Sequence, residues 1–108
     1  MEYVKAIKVS DLKNGQKIKV AIEGRDILLI NVDNKFYATD SKCTHMGGEL
    51  IEGRLEGSHI ICPKHGSVFD VKTGKLIEQG KMFKIKVKAD DLNSYPVLLR
   101  DGDVFIGI

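Results

Sequence analysis

The feature that most constrains the fold is a series of short runs in which polar and apolar side chains alternate between turn signals. Residues 17–22, Lys-Ile-Lys-Val-Ala-Ile, alternate cleanly, and residues 26–32 form a nearly continuous apolar run, as expected of a more buried strand. Asp33-Asn34 and Asp101-Gly102 separate neighbouring runs and predict two-residue hairpin turns. Further strands are predicted at residues 3–9, 35–39, 59–62, 67–71, 75–77, 82–88, 97–99 and 104–108.

Helical signals are weak. Residues 10–13 and 89–92 each predict a single turn, and neither segment is long enough for a stable amphipathic helix. The sequence therefore predicts an all-β fold, as a sandwich or a partly open barrel. Residues 40–57 are glycine-rich, polar and weakly periodic, which predicts a long loop, and long ordered loops in compact domains usually carry function.

Length and charge limit the possible classes of protein. A chain of 108 residues favours one domain. Seventeen basic and fifteen acidic side chains leave a formal charge of +2, which gives no indication of nucleic-acid binding. The apolar runs are too short to span a bilayer, and the first residues lack the basic-then-apolar order of a signal peptide. We therefore expect a cytoplasmic protein without a membrane partner.

Each of the two cysteines lies in a motif that also contains a histidine. Cys43-Thr44-His45 is followed, after 16 residues, by Cys62-Pro63-Lys64-His65, and glycines come after both. A disulfide between the cysteines is one possible use, but a reducing compartment favours metal binding or catalysis. Two thiolates and two imidazoles suit zinc or an iron–sulfur centre. Zinc sites more often pair Cys with Cys and His with His along the chain, so the mixed motifs favour a two-iron cluster of the Rieske type.

The chain resembles the Rieske-type [2Fe–2S] ferredoxins. The resemblance rests on residues 43–48, Cys-Thr-His-Met-Gly-Gly, and on residues 62–70, Cys-Pro-Lys-His-Gly-Ser-Val-Phe-Asp, with Thr73-Gly74 after them. It implies an antiparallel β-sandwich base domain, built from residues 1–40 and 79–108, with an inserted cluster-binding subdomain at residues 41–78.

The resemblance also implies the cofactor and its ligands. One [2Fe–2S] cluster per chain is expected, with Cys43 and Cys62 on the inner iron. His45 and His65 are expected on the outer iron, which lies nearer solvent.

Four positions beside the expected ligands indicate where this chain departs from high-potential members of the family. Those members carry two further cysteines, at positions that read Gly48 and Lys64 here, so no disulfide can join the two loops. Ser67 matches a serine whose hydroxyl hydrogen-bonds to cluster sulfur, whereas Phe69 stands where a tyrosine supplies a second hydroxyl. Hydrogen bonds to sulfur stabilise the reduced cluster, so the loss of one lowers the potential. We expect a value in the lower half of the Rieske range of about −150 to +300 mV.

The function implied is that of a one-electron carrier rather than an enzyme in its own right. It is expected to be a monomer that takes electrons from a reductase and passes them to an oxygenase or another oxidoreductase. Two alternatives stay open: a small Rieske subunit of a larger redox enzyme, and a Cys2His2 zinc-stabilised interaction module.

Lysines are prominent near the expected ligands and in the following segment. Lys42, Met46 and Lys64 are interpreted either as solvated loop residues or as a docking rim for an acidic partner. The lysines at 81, 84, 86 and 88 are interpreted as one solvated strand face, and Met82 and Phe83 as core or half-core residues.

Overall fold

The structure, a computed structural model, describes residues 1–44, 47–82, 84–86 and 88–108. Within those residues the chain forms short strands and two single turns of 3-10 helix, Val9–Asp11 and Leu50–Glu52, so the all-β prediction is confirmed. The strands are β1 (Tyr3–Lys8), β2 (Lys17–Ile22), β3 (Arg25–Val32), β4 (Lys35–Asp40), β5 (Arg54–Glu56), β6 (His59–Ile61), β7 (Val68–Asp70), β8 (Leu76–Glu78), β9 (Lys81–Met82), β10 (Ile85–Lys86), β11 (Ser94–Tyr95), β12 (Val97–Arg100) and β13 (Asp103–Gly107).

The strands pair antiparallel in four sheets. One sheet has the order β1-β13-β12 and a second the order β11-β4-β3-β2. A third sheet, β5-β6-β7-β8, is built from consecutive strands, and β9 and β10 form a separate hairpin. The division into a base domain and a subdomain at residues 41–78 stays a prediction.

Strand β3 separates two hydrophobic cores. Its side chains are buried on both faces: Ile27 and Leu29 pack in a core with the β13 residues Val104 and Ile106. The alternate residues of β3 pack in a second core with residues of β6 and β7. Alternation along a strand sends successive side chains to opposite faces, which explains the continuous apolar run in the sequence. We call the core on the β6–β7 side the inner core, because it also contains both cysteines.

Both predicted hairpin turns are confirmed. Asp33 and Asn34 join β3 to β4 with φ of 53° and 65°, and Asp101 and Gly102 join β12 to β13 with φ of 52° and 80°. Two consecutive residues with positive φ are the signature of the type I′ turn, whose twist matches that of the flanking strands.

Four local predictions are wrong. The strand predicted at 82–88 is divided into β9 and β10, because its alternation fits a folded-back pair as well as one continuous strand. Met82 is 44% exposed rather than part of a core, while Phe83 lies outside the described residues. The loop predicted at 40–57 contains a helical turn and β5, and residues 89–92 form no helical turn.

Among the residues that the structure describes, no helix has the length and hydropathy of a membrane-spanning helix.

Candidate metal centre

The two cysteines open two loops that are closed in the same way. The N–H of Cys43 donates to the carbonyl of Gly48 at 2.7 Å, and the N–H of Cys62 donates to the carbonyl of Ser67 at 2.8 Å. In both cases the acceptor is the residue five positions later. We call residues 43–48 the first ligand loop and residues 62–67 the second ligand loop.

Each ligand loop is the tip of a pair of extended segments. The first is flanked by an antiparallel bridge between Lys42 and Glu49, and the N–H of Leu50 donates to the carbonyl of Ser41 at 2.9 Å. The second joins β6 to β7, which pair next to the loop. Sequence motifs far apart in the chain are thereby presented on two equivalent supports.

The two loops face each other at Gly48. A Cβ atom built on this glycine would lie 2.8 Å from Sγ of Cys62 and 3.4 Å from Cγ of Lys64. The structure therefore brings together Gly48, Cys62 and Lys64, three of the residues that the sequence singled out. The absence of a side chain at position 48 is required by the sulfur of the opposite loop.

Both cysteines are thiols buried in the inner core. Cys43 and Cys62 are each 3% exposed and pack in the core that includes Leu50, Ile60 and Phe69. A thiolate in such surroundings is unfavourable unless a positive centre compensates its charge. Two buried sulfurs on facing loops therefore fit a metal centre that is sealed from water on this side.

Of the two histidines in the motifs, the structure describes only His65. His65 is half-buried, and its Nδ1 atom is shielded from solvent. His45 lies outside the described residues. No group of three or more metal-ligand side chains is assembled within the described residues, a set that leaves out His45.

Ser67 and Phe69 lie on the inner side of the second ligand loop. Phe69 is fully buried in the inner core and brings no hydroxyl to it. Ser67 is 1% exposed, and its Oγ accepts a hydrogen bond from the N–H of Gly80 at 3.1 Å. Because Oγ is the acceptor in that bond, the hydroxyl proton remains for donation to another acceptor.

The second ligand loop is also held by the segment that follows β8. The N–H of Lys81 donates to the carbonyl of His65 at 2.8 Å. A Cβ atom on Gly80 would collide with that same carbonyl oxygen and would lie 2.9 Å from the nitrogen of Ser67. Position 80 must be glycine for the two backbones to approach this closely.

The first ligand loop is held by a segment that sequence reasoning missed. The hydroxyl of Thr44 donates to the carbonyl of Asp90 at 2.6 Å and accepts from the N–H of the same residue at 2.9 Å. Thr44 stands between the first cysteine and the first histidine. The only sequence signal for this contact was a hydroxyl residue within the motif, because its partner is 46 positions away.

Residues 90–93, which we call the strap, connect this loop to two other parts of the molecule. Leu92 donates to the carbonyl of Gly74 at 2.7 Å, and Asp91 accepts from the N–H of Leu76 at 2.8 Å. The N–H of Asn93 donates to the Asp40 carboxylate at 3.0 Å. The strap thus ties the first ligand loop to the β7–β8 turn and to the end of β4.

Two polar contacts lie where the loops join the base sheets. Tyr95 donates to Asp40 at 2.6 Å, and burial, followed by that hydrogen bond, raises the pKa of the phenol. Lys19 of β2 donates to Glu49 at 3.1 Å, and this hydrogen bond raises the pKa of the ammonium group. The Tyr95–Asp40 bond joins β11 to the end of β4, before the first ligand loop begins, and the Lys19–Glu49 bond ties the residue after that loop to β2.

Comparisons with known proteins place this geometry in a family. The sequence pattern of the Rieske [2Fe–2S] domain matches residues 2–96. The ferredoxin component of the naphthalene 1,2-dioxygenase system of Pseudomonas putida is 32% identical over 108 residues, covering 100% of this chain and 97% of the relative.

Two solved structures share the fold. The ferredoxin of Sphingomonas yanoikuyae B1 superposes with a TM-score of 0.81 at 31% identity, covering 99% of each chain. A chain from the complex of reduced oxygenase and oxidised ferredoxin in carbazole 1,9a-dioxygenase superposes with a TM-score of 0.80 at 31% identity, covering 97% of this chain and 92% of that chain. The two facing cysteine loops on an all-β support are accordingly those of a family member, and this chain belongs to the Rieske [2Fe–2S] domain family.

Proposed function

We propose that the protein is a one-electron carrier, the ferredoxin component of an oxygenase system. The observation that carries this proposal is the pair of buried thiols on two equivalent, facing loops in a chain of the Rieske family. Relatives named as ferredoxin components of dioxygenase systems match its whole length. In this role it takes electrons from a reductase and gives them to an oxygenase or another oxidoreductase.

The ligands of the single [2Fe–2S] cluster are proposed to be the four residues of the two motifs. Cys43 and Cys62 hold one iron, and their burial in the inner core supports the inner position. His45 and His65 hold the other iron, and the partial exposure of His65 supports a position nearer the surface. When bound, the cluster supplies reversible uptake of one electron.

The protein's own residues set the conditions for that exchange. The inner core keeps water from the two sulfurs, which strengthens every charge interaction around them. The Ser67 hydroxyl, held by Gly80, has its proton free to stabilise added negative charge. Phe69 supplies no second hydroxyl, so we infer a potential in the lower half of the Rieske range.

Several observations favour a separate carrier over the alternatives. The relatives that this chain matches over 97% and 99% of their own length are named as a ferredoxin component and a ferredoxin, which supports the role of a carrier. Membership of the Rieske family favours an iron–sulfur cluster over a zinc module. We infer a cytoplasmic monomer without catalytic activity of its own: two free thiols suit a reducing compartment, and similar proteins are named as ferredoxin components of dioxygenase systems.

The decisive experiment combines composition with spectroscopy. The protein, purified without oxygen, is expected to contain two irons and two acid-labile sulfides, with the electron paramagnetic resonance spectrum of mixed Cys/His ligation when reduced. Cys43→Ser, Cys62→Ser and His65→Ala should lose the cluster. His59→Gln removes the third histidine of the chain, which is exposed on β6, and this variant should retain the cluster.

Two results would overturn the proposal. A protein that holds zinc and no sulfide after anaerobic reconstitution is not a Rieske carrier. Full iron content and an unchanged spectrum in His65→Ala would show that the ligand set is wrong.

A further inference from the structure

The hairpin formed by β9 (Lys81–Met82) and β10 (Ile85–Lys86) has exposed side chains that take part in none of the contacts described above. We call it the basic hairpin. Residues 79–88 contain four lysines and no carboxylate. Lys81, Lys84 and Lys86 are exposed, and none of these three forms an ion pair within the described part of the chain.

The pairing within this hairpin is unfavourable for an isolated protein. Lys81 stands directly opposite Lys86, and Met82 directly opposite Ile85. Opposite residues of an antiparallel pair share a face, so one face carries two ammonium groups and the other two apolar side chains. Met82 is 44% and Ile85 72% exposed. Like charges across a pair are destabilising, and a lone two-stranded hairpin is marginal in water.

The hairpin is nevertheless fixed against the second ligand loop. Its first residue, Lys81, donates its N–H to the carbonyl of His65 at 2.8 Å. The preceding Gly80 donates to Ser67 and packs against the same carbonyl. A molecule seated on this hairpin therefore comes next to the backbone of a proposed iron ligand.

We propose that the basic hairpin is the docking surface for an acidic redox partner protein, which exchanges electrons beside His65. This inference rests on the proposed function as an electron carrier. The charge of the hairpin selects the occupant, because carboxylates would relieve the repulsion between Lys81 and Lys86. The partner would contact the face that carries Lys81 and Lys86, and a second copy of this chain would bring the same positive charges to that face.

The test measures how the charge of an electron acceptor affects its rate. Reduced protein is mixed in a stopped-flow instrument with anionic ferricyanide or with cationic tris(phenanthroline)cobalt(III), at about 10 mM ionic strength, where screening is weak. In the triple variant Lys81→Gln, Lys84→Gln, Lys86→Gln, oxidation by ferricyanide should be slower by about threefold or more. Oxidation of the same variant by the cobalt complex should be faster than that of wild type. Both differences should vanish at about 0.5 M salt.

A matched control removes the same charge elsewhere. Lys8→Gln, Lys13→Gln, Lys35→Gln changes three exposed lysines near the Asp33–Asn34 turn, where Val9, Lys13 and Asn34 line one cavity. This turn is at the opposite end of β4 from the first ligand loop, about 20 Å away at the rise of a strand. The control should react with both acceptors at nearly wild-type rates.

A second probe represents the acidic protein surface. Poly-L-glutamate should slow ferricyanide oxidation of wild type and control, and should have little effect on the hairpin variant. Two results would overturn the proposal: equal inhibition of wild type, control and hairpin variant by poly-L-glutamate, or a hairpin variant that reacts with both acceptors at the wild-type rates. Vesicles with phosphatidylserine that bind wild type and release Ile85→Ser would identify a membrane instead, and concentration-dependent dimers lost in Ile85→Ser would identify a second copy.

Failure of this proposal is distinct from failure of the proposed function. Every variant is first checked for its visible spectrum and for reduction by one electron. A wild type without a reducible cluster refutes the carrier itself. A reducible wild type that shows no charge dependence refutes only the docking surface.

Discussion

The contact between Thr44 and the strap leads to a prediction about the first ligand loop. The Thr44 hydroxyl makes two hydrogen bonds to the backbone of Asp90, one as donor at 2.6 Å and one as acceptor at 2.9 Å. Thr44→Val keeps the shape of the side chain and removes both bonds. We expect the loop to lose its attachment to the strap while the inner core is unchanged.

The magnitude follows from the exposure of this contact. A hydrogen bond contributes about 0.5–1.5 kcal/mol net, and a buried group left without a partner costs about 1–3 kcal/mol. Thr44 and Asp90 are exposed, so water can reach the groups that the substitution leaves behind. The lower values therefore apply, and we expect a loss of about 1–2 kcal/mol. For a domain of about this size, 1 kcal/mol lowers Tm by roughly 4–8 °C.

The assay is thermal denaturation of the cluster-containing protein in the absence of oxygen, monitored by circular dichroism and by visible absorbance. Thr44→Ser retains the hydroxyl and serves as the control, with a Tm close to that of wild type. Hydrogen exchange at the strap should quicken in Thr44→Val, because the Asp90 amide loses its acceptor. Unchanged Tm and unchanged exchange in the valine variant would show that the contact does not hold the loop.

Three further substitutions test the supports of the site. Gly48→Ala places a methyl group 2.8 Å from Sγ of Cys62 and should lower the free energy of unfolding by about 1–3 kcal/mol. The iron content and the reduction potential of this variant would report the displacement of the sulfur. Gly80→Ala collides with a backbone carbonyl of the second ligand loop, so it should release iron faster than Gly48→Ala in the presence of a chelator. Tyr95→Phe removes the hydrogen bond to Asp40 and should cost about 1 kcal/mol by urea denaturation at neutral pH. The pKa of Tyr95 is raised in the folded state, so the contribution of its phenol to the free energy of unfolding is complete below pH about 10. That contribution is lost as the pH rises through the raised pKa, and the free energies of unfolding of wild type and Tyr95→Phe should therefore converge in alkaline solution.

Most of the fold could be predicted from local patterns. Strand β2 has the predicted bounds, and the bounds of β3 differ by one residue, because alternation and burial leave a direct record in the sequence. The Asp-Asn and Asp-Gly turns were equally clear, since few residues accept positive φ twice in succession. Strands β5 and β11 were missed, and they have only three and two residues.

The sequence predicts the donor set that is proposed for the site, but it does not predict the contacts that support the two loops. The alternating Cys and His of the two motifs indicated the donor set, because that set depends on residue type and spacing. The contact from Thr44 to Asp90 and the approach of Gly80 to His65 join residues far apart in the chain. Such contacts follow from tertiary packing, which leaves no local period for a single sequence to reveal.

The two ligand loops are held by different segments of the chain, which allows a test of whether one cluster joins both loops. The strap holds the first ligand loop through Thr44, whereas the second ligand loop is held through Gly80. Substitutions at separate sites without a shared partner usually add within about 0.3–0.5 kcal/mol. The cluster is a shared partner if it joins both loops. The double variant Thr44→Val, Gly80→Ala should therefore lose iron at a rate that departs from the product of the two single effects. Simple multiplication of those effects would mean that the two loops do not hold one common centre.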